Sequence, residues 1–284
     1  MDKLRILVLC GRSPRHLYVA NALCEAADVL AIVQETGGEW SARKILKKLR
    51  PKSFFRKLWR WVRDRRRYTG NKEGQFFFSD GEAVLDHPEL VKEVPHINHP
   101  DVVRLTDELD PDLIAVFGTS LIRGELLQKG RLGMVNLHGG LSPEYRGADC
   151  TFWALYNAEP EKIGCTLHYI DAGIDTGRLI AHVSPEIRPE DDELTLFWRS
   201  VRESANVYTE LIQRLAMGEL LGAKQPGGAV LGRHAQASAG PALADGLEQR
   251  AHQLRGEARR AETRKLEREQ SLGLDAVQSI DGVH

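Results

Sequence analysis

A chain of 284 residues that is 42% hydrophobic and 28% charged can bury a real core, which excludes a disordered polymer. No apolar run approaches the ~18 residues of a membrane helix, and no charged-then-apolar segment opens the chain, so a membrane span and a secretory leader are not expected. The net charge of −1 hides an asymmetry: residues 43–67 hold thirteen Lys and Arg against one acid, Asp64, leaving 26 bases against 39 acids elsewhere.

The chain opens with an apolar run, Leu4–Cys10, that reads as a buried parallel strand. Gly11-Arg-Ser-Pro14 is a turn, Pro14 suits a helix start, 15–27 reads helical, and 29–33 is a second strand. Strand, helix, strand predicts a right-handed βαβ unit and an α/β fold with a mostly parallel, Rossmann-like sheet. The first turn lacks GxGxxG, which argues against a dehydrogenase.

Residues 41–68 interleave bases with Leu46, Leu49, Phe54, Phe55, Leu58, Trp59, Trp61 and Val62 around Pro51. Three readings stay open for this basic insertion: an amphipathic cover with Lys and Arg stems on apolar surface, contact with an anionic membrane, or help in binding an anionic substrate. Residues 69–82 read as a loop carrying the apolar Phe76–Phe78, 83–94 as helical, 95–97 as a short strand, 101–109 as a helix and 112–117 as a buried strand. A short helix over 124–130 follows. Residues 149–157 read as a helix, 165–170 and 179–183 as a hairpin-like strand pair, and 193–217 as a long amphipathic helix. Gly218 opens a turn-rich stretch with small strands. From about 236 the composition shifts to Ala, Arg, Glu and Gln and predicts a solvated helix or disordered tail. The domains expected are therefore 1–185, an extension over 186–235, and the tail 236–284. Cys10, Cys24, Cys150 and Cys165 form no CxxC pair and fit buried free thiols in a reducing cytoplasm.

One stretch organises the rest. Met134, Val135 and Leu137 end a buried strand, and Asn136 and His138, two apart, point to one side of it. Gly139-Gly140 then lets the backbone turn. An amide and an imidazole thus meet at a strand's carboxyl end, where open α/β sheets bind ligands. A carboxylate waits in a second glycine-flanked loop, at Asp171 or Asp175.

The order Asn136-Leu-His138, Leu141-Ser-Pro143, Arg146-Gly147, Gly164-Cys-Thr166-Leu-His168 and Asp175-Thr-Gly177 resembles that of the formyltransferase family, over roughly residues 1–185. The resemblance implies the formyltransferase fold, with a small C-terminal helical extension, and formyl transfer from 10-formyltetrahydrofolate to a primary amine. It implies Asn136, His138 and Asp175 as catalytic residues. Ser120, Leu121, Ile122 and Arg123 would lie along the pterin, with Asp171 and Gly173. Gly11, Arg12, Ser13 and Arg146 would face the amine substrate; for the turn carrying Arg12, Ser13 and Arg15, phosphate contact and a plain solvated loop stay open. Asp-Thr-Gly favours Asp175 over Asp171, which then serves as a turn residue. In this chemistry Asn136 donates to the oxyanion, His138 shuttles the proton and Asp175 supports the imidazolium, with no metal. His138, His168 and Asp175 form the competing His/His/carboxylate metal set.

A strand-poor end after 235 does not look like the β-barrel domain of methionyl-tRNA formyltransferases. Gly11-Arg-Ser-Pro departs from the phosphate turn of glycinamide ribonucleotide transformylases. A nucleotide-linked amino sugar is therefore the expected acceptor; amino acids, hydroxyornithine, glycinamide ribonucleotide and aminoacyl-tRNA remain alternatives, as does a non-catalytic folate-binding protein. A homodimer is compatible with the sequence, and no DNA partner is expected.

Overall fold

The computed structural model describes residues 3–37 and 70–225; the basic stretch 41–68 and the tail 236–284 lie outside the described residues. Most of these residues, 3–37, 70–185 and 193–225, form one compact unit, and the short segment 186–192 groups separately from it. In the latter, the Arg188 guanidinium pairs with Glu186 at 3.0 Å, and the Arg188 backbone N–H donates to Asp191 Oδ2 at 2.7 Å.

The larger unit is built on one seven-stranded sheet. Its strands are β1 (Arg5–Cys10), β2 (Asp28–Glu35), β3 (Val91–Val94), β4 (Leu113–Phe117), β5 (Met134–His138), β6 (Cys165–Tyr169) and β7 (Leu179–Val183), in spatial order β3-β2-β1-β4-β5-β6-β7. The first five run parallel, while β6 and β7 add on antiparallel. Apolar runs on both faces explain why the parallel part is buried on both sides. Ile6, Val8 and Cys10 join one layer with helices α1 (Pro14–Ala26) and, further along, α5 (Glu193–Ala216). The alternate residues Leu7 and Leu9 join the opposite layer with α3 (Pro100–Leu109).

Helix α5 buries Leu194, Trp198, Val201, Ala205, Tyr208, Ile212 and Leu215, a stripe at helical spacing that lies against α1 and the sheet. Two short helices complete the unit, α2 (Lys72–Phe77) and α4 (Cys150–Tyr156). No described helix is long and apolar enough to cross a membrane. All four cysteines are free thiols.

Three expectations are corrected. The loop expected over 69–82 contains α2, because Phe77 is buried beside Tyr18 and Phe76 packs on Trp198. The helix expected over 83–94 is instead a 3₁₀ turn, Pro88–Leu90, followed by β3. The open edge of β2 offers unpaired backbone groups, and Val91–Val94 pair with Ile32–Glu35 to satisfy them. Pro95 has no N–H with which to continue that ladder, so the strand stops before 95–97.

The strand order reverses beside β1. β2 and β3 lie on one side of it and β4 to β7 on the other, so the loops after β1 and β4 diverge and leave a crevice at the sheet's carboxyl edge. Gly11 and Gly118 follow those two strands. A Cβ on Gly11 would sit 2.5 Å from the His16 ring and one on Gly118 2.1 Å from it, so both glycines make room for that imidazole. Burial holds His16 neutral, its pKa lowered to about 3, and its Nδ1 accepts the Ser13 N–H at 3.1 Å.

Tyr208 acts on the other side of the crevice. Its buried hydroxyl accepts from the Val116 N–H at 3.1 Å and donates to the Val135 carbonyl at 2.6 Å. The hydroxyl thus bridges β4 and β5 immediately before Asn136. Tyr208→Phe leaves two buried backbone groups without that partner and is expected to lower stability by roughly 1–3 kcal/mol in urea unfolding. An unchanged midpoint would mean that the two strands close directly on one another.

Candidate active site

Alternation along β5 decides what faces the crevice. Val135 and Leu137 enter the layer of α1 and α5, and Met134 enters the opposite one. Asn136 and His138 continue the Met134 side, past the cover that α3 gives. Across the antiparallel pair β5–β6, Asn136 stands opposite His168, and His138 opposite Thr166.

Thr166 pins the turn after β5: its hydroxyl donates to the Gly140 carbonyl at 2.6 Å and accepts the Ser142 N–H at 2.9 Å. That turn carries Tyr145, whose carbonyl accepts from His138 Nε2 at 3.0 Å. The Tyr145 phenol is itself held by Glu159 and by the Asn157 amide. With Nε2 donating to a carbonyl, the lone pair of a neutral His138 lies on Nδ1, which faces Asp175 Oδ2 at 3.5 Å.

Asp175 arrives from the loop joining β6 and β7. It adopts φ 51°, in the left-handed region that a non-glycine residue enters only at a cost. Its Oδ2 accepts the Gly147 N–H at 2.8 Å, and its Oδ1 lies 3.4 Å from His168 Nε2. Burial alone would raise this carboxyl's pKa; the neighbouring His168 and His138 rings and the Gly147 N–H outweigh burial and hold it below the ordinary carboxylate value. It is therefore an anion at neutral pH.

His168 completes the ring of contacts. Its Nδ1 donates to the Tyr169 carbonyl at 2.7 Å, and its Nε2 accepts from Asn136 Nδ2 at 3.2 Å. An amide has two N–H donors, so Asn136 keeps one for a ligand oxygen. His168 can accept from that amide when neutral and donate to Asp175 when protonated. Asn136, His138 and Asp175, expected together from the sequence, are thus brought together, with His168 between the amide and the carboxylate. The imidazoles of His138 and His168 face one carboxylate rather than a common point, and no group of three or more His, Cys, Asp or Glu among the described residues converges as metal ligands would.

The other expected residues occupy three places. Ser120, Leu121 and Arg123 line a cavity of about 350 Å³ with His96 and Asn98, next to Gly118, whereas Ile122 turns into the core. Ser120 donates both its N–H and its hydroxyl to Glu35 at 2.9 Å. Asn98 donates to the Leu121 carbonyl at 2.9 Å and accepts the Arg123 N–H at 2.7 Å, which fixes that loop. Asp171 closes its own turn by accepting from the Gly173 N–H at 3.0 Å and the Thr176 hydroxyl at 2.5 Å.

The first turn stands at the crevice, with Arg12 exposed and paired to Glu93 at 3.0 Å. Arg15 is held by Glu73 at 2.6 Å and lies over the Phe197 ring. Arg146 is buried and donates to Gln225 at 2.6 Å, so its guanidinium braces the fold.

A sequence profile of the family described as Formyl transferase matches residues 40–212. The chain belongs to the formyl transferase family. Methionyl-tRNA formyltransferase of Geobacter metallireducens is 37% identical to it over 142 residues, 49% of this chain and 45% of that protein. The chain thus spans about half the length of the curated relatives it matches. Among solved structures, phosphoribosylglycinamide formyltransferase of Coxiella burnetii shares the fold at TM-score 0.52 and 20% identity, covering 79% of this chain and 92% of its own. A sugar N-formyltransferase from a Shewanella species aligns at TM-score 0.50 and 16% identity, covering 79% and 75%.

One residue at this site escaped the sequence reading, and the contact of another was not legible in it. His168 was visible as part of the motif Gly164-x-Thr166-x-His168, yet its contact with Asn136 follows from strand register, which the motif does not state. Gln225 left no signal, since it reaches the site from a turn-rich stretch fifty residues after Asp175.

Burial lowers the His138 pKa, and this outweighs the raising effects of Asp175 and the Tyr145 carbonyl. The free protein is accordingly expected to keep the base form of His138 at pH values where an ordinary imidazole, near 6.5, is already protonated. The acid limb of kcat/KM should fall below that value; a limb above it would contradict the assignment of His138 as a buried base.

Proposed function

We propose that this chain transfers a formyl group from 10-formyltetrahydrofolate to a primary amine. The single observation that carries the proposal is the convergence of Asn136, His138 and Asp175 at one edge of the sheet, in a chain of this family. The resemblance places the pterin along Ser120, Leu121 and Arg123, which line the cavity beside Gly118, and along the Asp171–Gly173 turn.

Once bound, that co-substrate supplies the acyl carbon. The chain's own residues do the rest. Asn136 offers an N–H to the acyl oxygen, a preorganised donor of a kind worth about 2.7–4 kcal/mol. The proton leaving the amine is taken up at the Asp175–His138 pair, whose Oδ2 and Nδ1 face one another at 3.5 Å. Asp175, facing Nδ1, stabilises the imidazolium that results. The proton can then pass to the leaving nitrogen, so no covalent enzyme intermediate is required. Buried free thiols agree with a cytoplasmic setting.

For the acceptor, we favour a nucleotide-linked amino sugar. What supports this reading is exposed Arg12 at the turn after β1, whose guanidinium a diphosphate would take over from Glu93. Aminoacyl-tRNA is the second reading, favoured by the relatives named as methionyl-tRNA formyltransferases.

Incubation with 10-formyltetrahydrofolate and a panel of nucleotide-linked amino sugars, glycinamide ribonucleotide, hydroxyornithine and methionyl-tRNA should release tetrahydrofolate with one class. Asn136→Ala, His138→Ala and Asp175→Ala are each expected to reduce turnover by about 10²-fold or more while leaving the circular dichroism spectrum unchanged. Near-normal turnover in the His138 variant would refute the mechanism. Tight tetrahydrofolate binding without turnover on any amine would replace it with a folate-binding role.

A further inference from the structure

We infer that Gln225 is the positioning residue of the catalytic carboxylate, and that the segment following α5 acts as a clasp on the Asp175 loop. The inference rests on the formyl-transfer reading above for its kinetic consequence, but not for its geometry.

The path of the chain makes the clasp. After Ala216 the backbone turns at Gly218 and returns across the start of β7. There Ala223 and Leu179 exchange both backbone hydrogen bonds at 2.7 Å, an isolated antiparallel bridge. The Arg178 guanidinium reinforces it by donating to the carbonyls of Leu221 and Gly222 at 2.8 and 2.9 Å. These contacts deliver Gln225, two residues further on, to the back of the loop that carries Asp175.

Gln225 is buried, and its amide is almost fully committed. Nε2 donates to the Asp175 carbonyl at 3.1 Å and to the Gly177 carbonyl at 2.7 Å; Oε1 accepts from Arg146 at 2.6 Å. One side chain therefore ties both ends of Asp175-Thr-Gly177 to the buried Arg146, which directly precedes Gly147. Gly147 in turn donates its N–H to the Asp175 carboxylate.

The loop needs such an anchor. Asp175 is in the left-handed region, and relaxation toward an ordinary backbone conformation would swing its carboxylate from between the two imidazoles. Gly177 offers no alternative hold, since a Cβ there would lie 1.8 Å from the Tyr169 carbonyl oxygen. The Gln225 amide holds the backbone on one side and the Gly147 N–H holds the carboxylate on the other.

The test uses the full chain. Gln225→Met keeps the length and removes every hydrogen bond. Gln225→Glu keeps an acceptor for Arg146 but has no N–H for the two carbonyls. Turnover of the amine found active above, and the titration of the His138 ring followed by NMR in the free protein, are measured for both.

Gln225→Met is expected to stay folded, to lose kcat by about 10²-fold as a misplaced catalytic group does, and to show His138 titrating lower, because the carboxylate that raises it has moved away. Gln225→Glu should lose kcat similarly. Wild-type kcat with an unshifted His138 titration in Gln225→Met overturns the proposal. Full turnover in Gln225→Glu also overturns it, because the amide donation would then be dispensable. If Gln225→Met does not fold, the Gln225→Glu result decides. If the wild-type chain formylates no amine, the catalytic reading fails, and the His138 titration still decides whether Gln225 places the carboxylate.

Discussion

Everything at this site depends on where one carboxylate is held. Asp175 stands between the rings of His138 and His168, at 3.5 and 3.4 Å, and takes the Gly147 N–H at 2.8 Å. Two imidazoles that face a common anion are kept apart in role by what holds their far nitrogens. Tyr145 fixes Nε2 of His138 and Tyr169 fixes Nδ1 of His168. The first ring therefore presents its lone pair toward the carboxylate, and the second presents Nε2 to both the carboxylate and the Asn136 amide. Tautomer, orientation and charge follow from backbone carbonyls supplied by the turn after β5 and the end of β6.

Burial then sets the proton inventory. Desolvation lowers the His138 pKa against the pull of Asp175, while His168 and the Gly147 N–H hold the Asp175 carboxyl below its ordinary value against its own desolvation. A neutral base and an anion side by side is the arrangement that a proton acceptor needs before reaction and that an imidazolium needs after it. The neighbouring Cys150 thiol, 3.6 Å from His138 Nε2, is pushed far up by burial and remains protonated. It adds no charge to this balance. His16 shows the same effect at the switch point, where a buried imidazole stays neutral between two glycines.

How much of this was legible in the sequence follows from the range of each interaction. Apolar runs such as Ile6–Cys10 and Leu113–Phe117 announce buried parallel strands, and the period of two along Met134–His138 already places Asn136 and His138 on one face. β3 was not legible, because a four-residue edge strand next to two prolines forms only when the free edge of β2 is there to pair with it. The same holds inside the site. Residues close in sequence could be grouped by spacing, but His168 joins Asn136 through antiparallel register, and Gln225 reaches Asp175 through a turn and a single bridge. Arg146 illustrates the limit from the other side: a motif arginine in a glycine turn reads as a substrate contact, whereas the structure spends its charge on Gln225 in the interior.

The sheet separates chemistry from recognition. Asn136, His138 and His168 sit on β5 and β6 and are aimed by strand register, with the Asp175 loop clasped against them. The residues expected to meet ligands lie elsewhere, on the loops after β1 and β4, which diverge where the strand order reverses. Those loops are held by side chains rather than ladders: Ser120 by Glu35, Arg123 and Leu121 by Asn98, Arg12 by Glu93. Substitutions at Glu93 or Arg12 can therefore change the loop after β1 without touching the register that aligns the amide, the imidazole and the carboxylate.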